Sequence, residues 1–274
     1  MHLSICTWIF GDESIGKVFK FIKASGYDTI ELQADIALTQ TRKIKQIVND
    51  LDLTIGGVTG DAAWPDVTKD LANRNPVNRK IAVEYFKEQI KVCHELDGKY
   101  IVICPSAVWK PHLLGKGTDD WDWAIDSVNQ LCDTAKLEDV ELIIEPVNRY
   151  ESSIINTAED AYRFINELNH PKVNMLVDTF HMNIEEVDML SAIENVSDKL
   201  EVFHLADNNR KGVGMGKIDF HAVISKLKEI NYDGPLVLEC MAPGPNPFSA
   251  NKKSMNHLYH YCEQTAKVLK EMLT

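Results

Sequence analysis

Eight short apolar runs recur along the chain, each followed by room for a helix: Leu3–Trp8, Thr29–Leu32, Thr54–Val58, Tyr100–Cys104, Leu142–Glu145, Asn174–Val177, Val202–Leu205 and Leu236–Glu239. They are mostly continuous rather than alternating, the pattern of parallel strands covered on both faces. Between them the apolar spacing becomes helical. Ala82, Phe86, Ile90 and Cys93 share one helix face, and Ala161, Ile165 and Leu168 share another behind Thr157, a predicted N-cap. One joint recurs near both ends. Lys23-Ala24-Ser25-Gly26-Tyr27-Asp28 leads into Thr29-Ile30-Glu31-Leu32, and Lys228-Glu229-Ile230-Asn231-Tyr232-Asp233-Gly234-Pro235 leads into Leu236-Val237-Leu238-Glu239. Each is a helix end, a tight turn and a strand ending near an acid.

Eight such units in 274 residues average about 34 residues each, the usual size of a (β/α)8 unit. The pattern therefore predicts an α/β fold, a (β/α)8 TIM barrel forming one domain over residues 1–274. The rival, an open doubly wound sheet, calls for a glycine fingerprint after the first strand, and Ile9-Phe10-Gly11-Asp12 does not supply one. Helix-to-strand joints are short, at Gly26–Asp28, Asp97–Lys99 and Asn231–Pro235. Several strand-to-helix stretches are long, at Thr59–Val77, Pro105–Asp119 and Ala206–Asp219. Long loops at one end of a barrel form its binding face. Residues 59–77, rich in Asp, Asn and Pro and containing Trp64, are a candidate lid.

Charge narrows the function classes. With 29 basic against 41 acidic residues the formal net charge is −12, which disfavours nucleic acid and anionic membranes as partners. No apolar run is long enough to span a membrane, and the N-terminus lacks a signal-peptide pattern. The six cysteines form no Cys-x-x-Cys pair and read as reduced thiols of a cytoplasmic protein.

The last four strands carry the candidate chemistry. Ile143-Ile144-Glu145 and Met175-Leu176-Val177-Asp178 end in carboxylates, Val202-Phe203-His204 in an imidazole, and Val237-Leu238-Glu239 in a third carboxylate. In a barrel these termini face one mouth. Three carboxylates brought together repel one another, and a bound divalent cation removes the conflict. Oxygen-rich ligation with one nitrogen suits Mn²⁺, Co²⁺ or Mg²⁺, and admits Zn²⁺. Glu151, His181 and Arg210 follow these strand ends and would hang over the mouth, where His and Arg could hold substrate oxygens. Trp109 is a candidate apolar wall. Gly212-Val213-Gly214-Met215-Gly216-Lys217 lies too far beyond its strand for a dinucleotide fingerprint and reads as a flexible turn before a helix at Asp219.

At these residues the chain resembles the xylose isomerase-like sugar epimerase and isomerase superfamily, and within it the D-tagatose 3-epimerase (ketose 3-epimerase) family. The resemblance is sharpest in Glu145-Pro146-Val147-Asn148-Arg149-Tyr150-Glu151, Asp178-Thr179-Phe180-His181, His204-Leu205-Ala206-Asp207-Asn208-Asn209-Arg210 and the Glu239 strand end. The 33-, 26- and 35-residue intervals between the four candidate ligands fit it as well. The resemblance implies metal ligands at Glu145, Asp178, His204 and Glu239, acid/base residues at Glu145 and Glu239, and substrate contacts at Glu151, His181 and Arg210. It also implies Mn²⁺ or Co²⁺ and a homodimer or homotetramer. The N-terminal half matches less sharply, so the sugar itself is not specified.

The implied chemistry is coherent. A proton beside a ketone becomes labile when the resulting enediolate is stabilised, which a cation gripping vicinal oxygens provides. One glutamate removes the proton and the other returns one to the opposite face, inverting C3 of a small ketose or keto-sugar. The same machinery could serve aldose–ketose isomerisation of hydroxypyruvate type, or elimination, as in inosose dehydration or cleavage of an oxidised C-glycoside. An apurinic endonuclease would need a histidine-rich three-metal site, and only His181 and His204 fall at the predicted mouth. A sugar-binding accessory protein would not need two opposed bases.

Overall fold

In the computed structural model the eight strands are β1 (His2–Cys6), β2 (Thr29–Gln33), β3 (Thr54–Thr59), β4 (Tyr100–Ile103), β5 (Glu141–Ile144), β6 (Val173–Asp178), β7 (Leu200–Leu205) and β8 (Pro235–Leu238). All neighbours pair in parallel and β8 returns to β1, closing the barrel in chain order. The structure describes all residues except 64, 111–118 and 247. The main helices between strands are α1 (Ile15–Ala24), α2 (Ala34–Leu51), α3 (Pro76–Glu95), α4 (Asp119–Glu138), α5 (Ala158–Leu168), α6 (Thr179–Glu185), α7 (Met189–Asn195) and α8 (Phe220–Glu229). Helix α9 (Met255–Leu273) ends the chain.

The predicted TIM barrel and all eight strands are therefore present, with ends moved by a residue or two. The shift that changes the site is at the start, where β1 stops at Cys6 and Trp8–Phe10 form a 3-10 turn instead of continuing the strand. The predicted helix faces are also present. Ala82, Phe86, Ile90 and Cys93 are buried on α3, and Thr157 caps α5 through a reciprocal capping box with Asp160.

The repeated joint has a backbone cause. Asp52, Asp97, Asp139, Asn169 and Asn231 each stand between a helix and the next strand with positive φ, and Gly26 does so before β2. Asp and Asn tolerate this conformation better than other side-chain-bearing residues, and it turns the chain sharply from helix to strand. The tight joints occupy one end of the barrel and leave the strand C-termini to the long loops. Residues 60–63 and Trp109 lie on those loops and line the cavity at the mouth. Trp64, part of the candidate lid, lies outside the described residues.

Candidate active site

Four elements deliver the central cluster. Glu145 immediately follows β5, Asp178 ends β6, His204 lies one residue inside the end of β7, and Glu239 immediately follows β8. Asp178 and His204 stand level on adjacent strands. Each of the four offers one ligand atom, and these atoms lie within 4.8 Å of one another. All four side chains are buried.

His204 Nδ1 faces the cluster, 3.3 Å from Glu239 Oε2 and 3.9 Å from Glu145 Oε1. Arg210 closes one side: its guanidinium donates to Asp178 and, at 2.6 Å, to Glu239 Oε2. The Trp8 indole N–H donates to Glu239 Oε1 at 2.6 Å. The Cys104 thiol lies 3.6 Å from Glu145 Oε2.

The two glutamates are pushed in opposite directions. Burial, reinforced by the neighbouring Glu239, raises the Glu145 carboxyl well above the usual carboxylate range. Burial opposes ionisation of Glu239 too, but Arg210 and His204 outweigh it and hold this carboxyl well below that range. His204 is raised well above its ordinary value, because Glu31 and Glu239 overcome the effect of burial. Arg210 and the His204 imidazole thus answer Asp178 and Glu239, while Glu145 is the carboxyl whose ionisation the site disfavours. Three carboxylates and one imidazole converging in this way fit a divalent metal, which together with Arg210 would balance the three carboxylate charges.

The residues around this centre face a cavity lined by Trp8, Trp109, Glu151, His181, Arg210 and Phe248, among others. The Asn148 backbone N–H donates to His181 Nδ1 at 3.2 Å, so that nitrogen is an acceptor and Nε2 carries the proton. Burial lowers the His181 pKa to about 4, which keeps the ring neutral near pH 7. The Asn148 side-chain amide donates to Glu151 Oε1 at 2.8 Å, and burial raises the Glu151 pKa. Trp109 stands at φ +64 with its ring centroid 5.5 Å from that of Phe248, and the Trp8 ring lies 5.9 Å from the same Phe248 centroid.

All seven polar residues singled out in the sequence therefore gather at one mouth, with Trp109 at its edge. The glycine-rich turn differs from expectation. It is tied down rather than loose, because buried Asp207 accepts from the backbone N–H groups of Gly216, Lys217 and Ile218 at 2.6, 2.9 and 3.2 Å. Gly216 is required there, since a Cβ would come within 2.3 Å of the Asp207 carboxylate.

Sequence reasoning did not single out Trp8, Glu31, Cys104 or Phe248. The apolar run Leu3–Trp8 predicts Trp8 as the end of a strand, and the 3-10 turn brings it to the cavity instead. Glu31 lies within β2 and donates nothing to the cavity lining, yet its carboxylate bonds to His204 across the barrel. The acid in both copies of the repeated joint, Glu31 and Glu239, was the signal available for it.

A closed parallel barrel with buried acids and an imidazole at its C-terminal mouth defines a class, and the chain belongs to the xylose isomerase-like TIM barrel family, whose description matches residues 19–261. Its relatives are epimerases and isomerases, and the chain is an enzyme of that class. It is 29% identical to a 3-dehydro-D-guloside 4-epimerase from Escherichia coli over 90% of this chain and 94% of the relative. It is 30% identical to a D-psicose 3-epimerase from Ruminiclostridium cellulolyticum over 78% of this chain and 74% of the relative. The crystal structure of D-psicose 3-epimerase with D-tagatose from Clostridium cellulolyticum H10 has the same fold, with TM-score 0.88 and 24% identity over 100% of this chain and 99% of that one. Among the described residues no helix is long and apolar enough to cross a membrane.

Proposed function

We infer that the protein is a metal-dependent epimerase that inverts the carbon beside the ketone of a small sugar, with C3 of a free ketose as the reacting centre. The observation that carries this reading is the pairing of Glu145 and Glu239, carboxylates from non-adjacent strands meeting at one cavity within 4.8 Å. Glu145, Asp178, His204 and Glu239 would hold a divalent cation, Mn²⁺ in this reading, which supplies Lewis-acid polarisation of the substrate's oxygens. One glutamate takes the C3 proton and the other returns a proton to the opposite face, the roles exchanging with the direction of reaction. The His181 Nε2–H and the Arg210 guanidinium donate to substrate oxygens, Glu151 accepts from a hydroxyl, and Trp109 packs on the apolar side. Residues 59–77 serve as the lid that keeps water from the exposed carbanion.

Incubation with ketoses and Mn²⁺ in D₂O, followed by NMR, tests the proposal. Deuterium at C3 together with the C3 epimer is the expected result. Exchange at C1 with aldose formation, or loss of water or an aglycone, would replace the reading with isomerisation or elimination. A second substrate class has an observation in its favour: the 3-dehydro-D-guloside 4-epimerase is similar in sequence over 90% of this chain and 94% of its own length. A 3-keto-glycoside presents the same acidic proton at C4, and C4 epimerisation of such a compound in preference to free ketoses would assign it. The six thiols, none in a disulfide, suit a cytoplasmic enzyme. A homodimer or homotetramer, measurable by light scattering, completes the proposal.

A further inference from the structure

Glu31 is fully buried on β2, and the hydrogen-bond partners of its carboxylate among the described residues are Thr59, Tyr100 and His204. Neither a lysine nor an arginine is among them. A carboxylate placed in a barrel wall with mostly neutral donors is an unfavourable choice for folding alone. Four strands nevertheless cooperate to hold it. The β2–β3 pairing shifts register between Ile30 and Glu31, an irregularity of the kind that re-aims a side chain. Thr59, at the end of β3, donates to Oε1. Tyr100, at the start of β4, donates to Oε2 at 2.9 Å. The Tyr100 ring reaches Glu31 because β3 has Gly57 beside it, where a Cβ would meet the ring at 2.3 Å.

The remaining contact gives this arrangement a purpose. Glu31 Oε2 lies 3.0 Å from His204 Nε2, on the side of the ring away from the cluster. With Nε2–H committed to Glu31, the nitrogen left facing Glu145 and Glu239 is Nδ1. A carboxylate behind a metal-binding imidazole fixes both the ring's rotation and which nitrogen it presents.

We propose that Glu31 is a positioning residue that acts through His204 to set the protein's affinity for its divalent cation. This inference rests on the proposed function above, and the experiment separates the two. Metal-stripped full-length protein is titrated with Mn²⁺ alone, and free Mn²⁺ is read by electron paramagnetic resonance. Wild type should bind one Mn²⁺ per chain. Glu31→Gln should weaken that affinity about 10–100-fold at unchanged stoichiometry. In a His204→Gln background Glu31→Gln should have no further effect, an outcome that a merely structural role would not produce.

Wild-type affinity in Glu31→Gln, or an equal loss with and without His204, overturns this inference and leaves the epimerase reading standing. Failure of the wild-type chain to bind Mn²⁺ overturns both. If Glu31→Gln does not fold, Tyr100→Phe decides the matter. It removes one hydroxyl from Glu31 and keeps the ring, so a several-fold weaker affinity supports the role and an unchanged one refutes it.

Discussion

Replacing Trp8 by Phe tests whether Glu239 is held for catalysis from outside its own strand. The indole N–H donates to Oε1 at 2.6 Å, while Oε2 is occupied by Arg210 and His204. Phe keeps an aromatic ring near Phe248 and removes only the donor. A hydrogen bond to a charged group is worth about 1.5–3 kcal/mol. Trp8 is half-buried at the edge of the cavity, so water can take part of the vacated role and the lower figure applies. At about 1.4 kcal/mol per decade, a loss of about 1.5 kcal/mol is roughly a tenfold fall in rate. The loss should fall on kcat, because the bond positions a base rather than the sugar. Initial rates of epimer formation and of solvent-deuterium exchange, taken at saturating Mn²⁺, measure it. The expected pattern is kcat down about tenfold with KM changed by less than about threefold. An unchanged kcat with a raised KM would mean that the indole is only a wall of the cavity, and the positioning argument would be wrong.

Glu145→Gln or Glu239→Gln should each reduce proton exchange by about 10²–10⁴-fold while sugar binding stays measurable by calorimetry, and undiminished exchange in both variants would end the two-carboxylate mechanism. Mn²⁺ at about 100 times its dissociation constant should stabilise the fold by about 2.7 kcal/mol, a rise in Tm of roughly 5–10 °C by calorimetry that a chelator reverses. No shift would remove the metal from the account. Lys110 is buried between Asp70 at 3.2 Å and Asp120 at 3.5 Å. Lys110→Met leaves a buried carboxylate pair without its shared cation and should cost about 3 kcal/mol in urea denaturation, the low end for a broken buried pair because Asp70 keeps its bonds to the Ala72 and Ala107 N–H groups. A cost below about 1 kcal/mol would place that pair among weak surface bridges. Burial lowers the Lys253 pKa from 10.5 to about 8. Between those values the unfolded chain binds the extra proton, so the contribution of Lys253 to stability rises with pH across the window. Wild type should therefore gain on Lys253→Met in urea midpoint between about pH 8 and 10, and a flat difference would show that the amine titrates normally.

What the sequence made legible follows from distance along the chain. Strands, helix faces and caps depend on neighbours within a few residues, and the Thr157 cap and the α3 face could be read locally. The cluster was readable for a different reason: parallel strands in a barrel put every C-terminal end at one mouth, so four strand-end residues had to meet once the fold was known. Trp8 was hidden by a boundary. Extending β1 by two residues turned a cavity residue into a strand residue, because Thr7 and Trp8 have good strand propensity and the 3-10 turn leaves no strong local mark. Glu31 was hidden by closure. Its role appears only when β2 and β7 face each other through the barrel interior, a relation between residues 173 positions apart. Asp207 was hidden by function, since a carboxylate beside Arg210 looks like another mouth residue until its bonds to the backbone of 216–218 are seen.

The mouth of the barrel departs from what folding alone would select. Glu31, Glu145, Asp178, His204 and Glu239 are at most 5% exposed, where the rest of the strand layer is largely Ile, Leu and Val. Withdrawing a charge from water costs several kcal/mol unless good partners offset it. Arg210 and His204 offset Asp178 and Glu239, while burial disfavours ionisation of Glu145, so these residues by themselves reach only a compromise. A divalent cation would satisfy all the carboxylates together and, on the proposed function, would tie stability and activity to one ligand. The same reasoning weighs against a pure sugar-binding role. Recognition of hydroxyls requires donors and acceptors on the cavity wall, which Glu151, His181 and Arg210 can supply. It gives no reason to hold four convergent ionisable groups behind that wall at a cost to the fold. Proton transfer beside a polarised ketone gives a reason for every one of them.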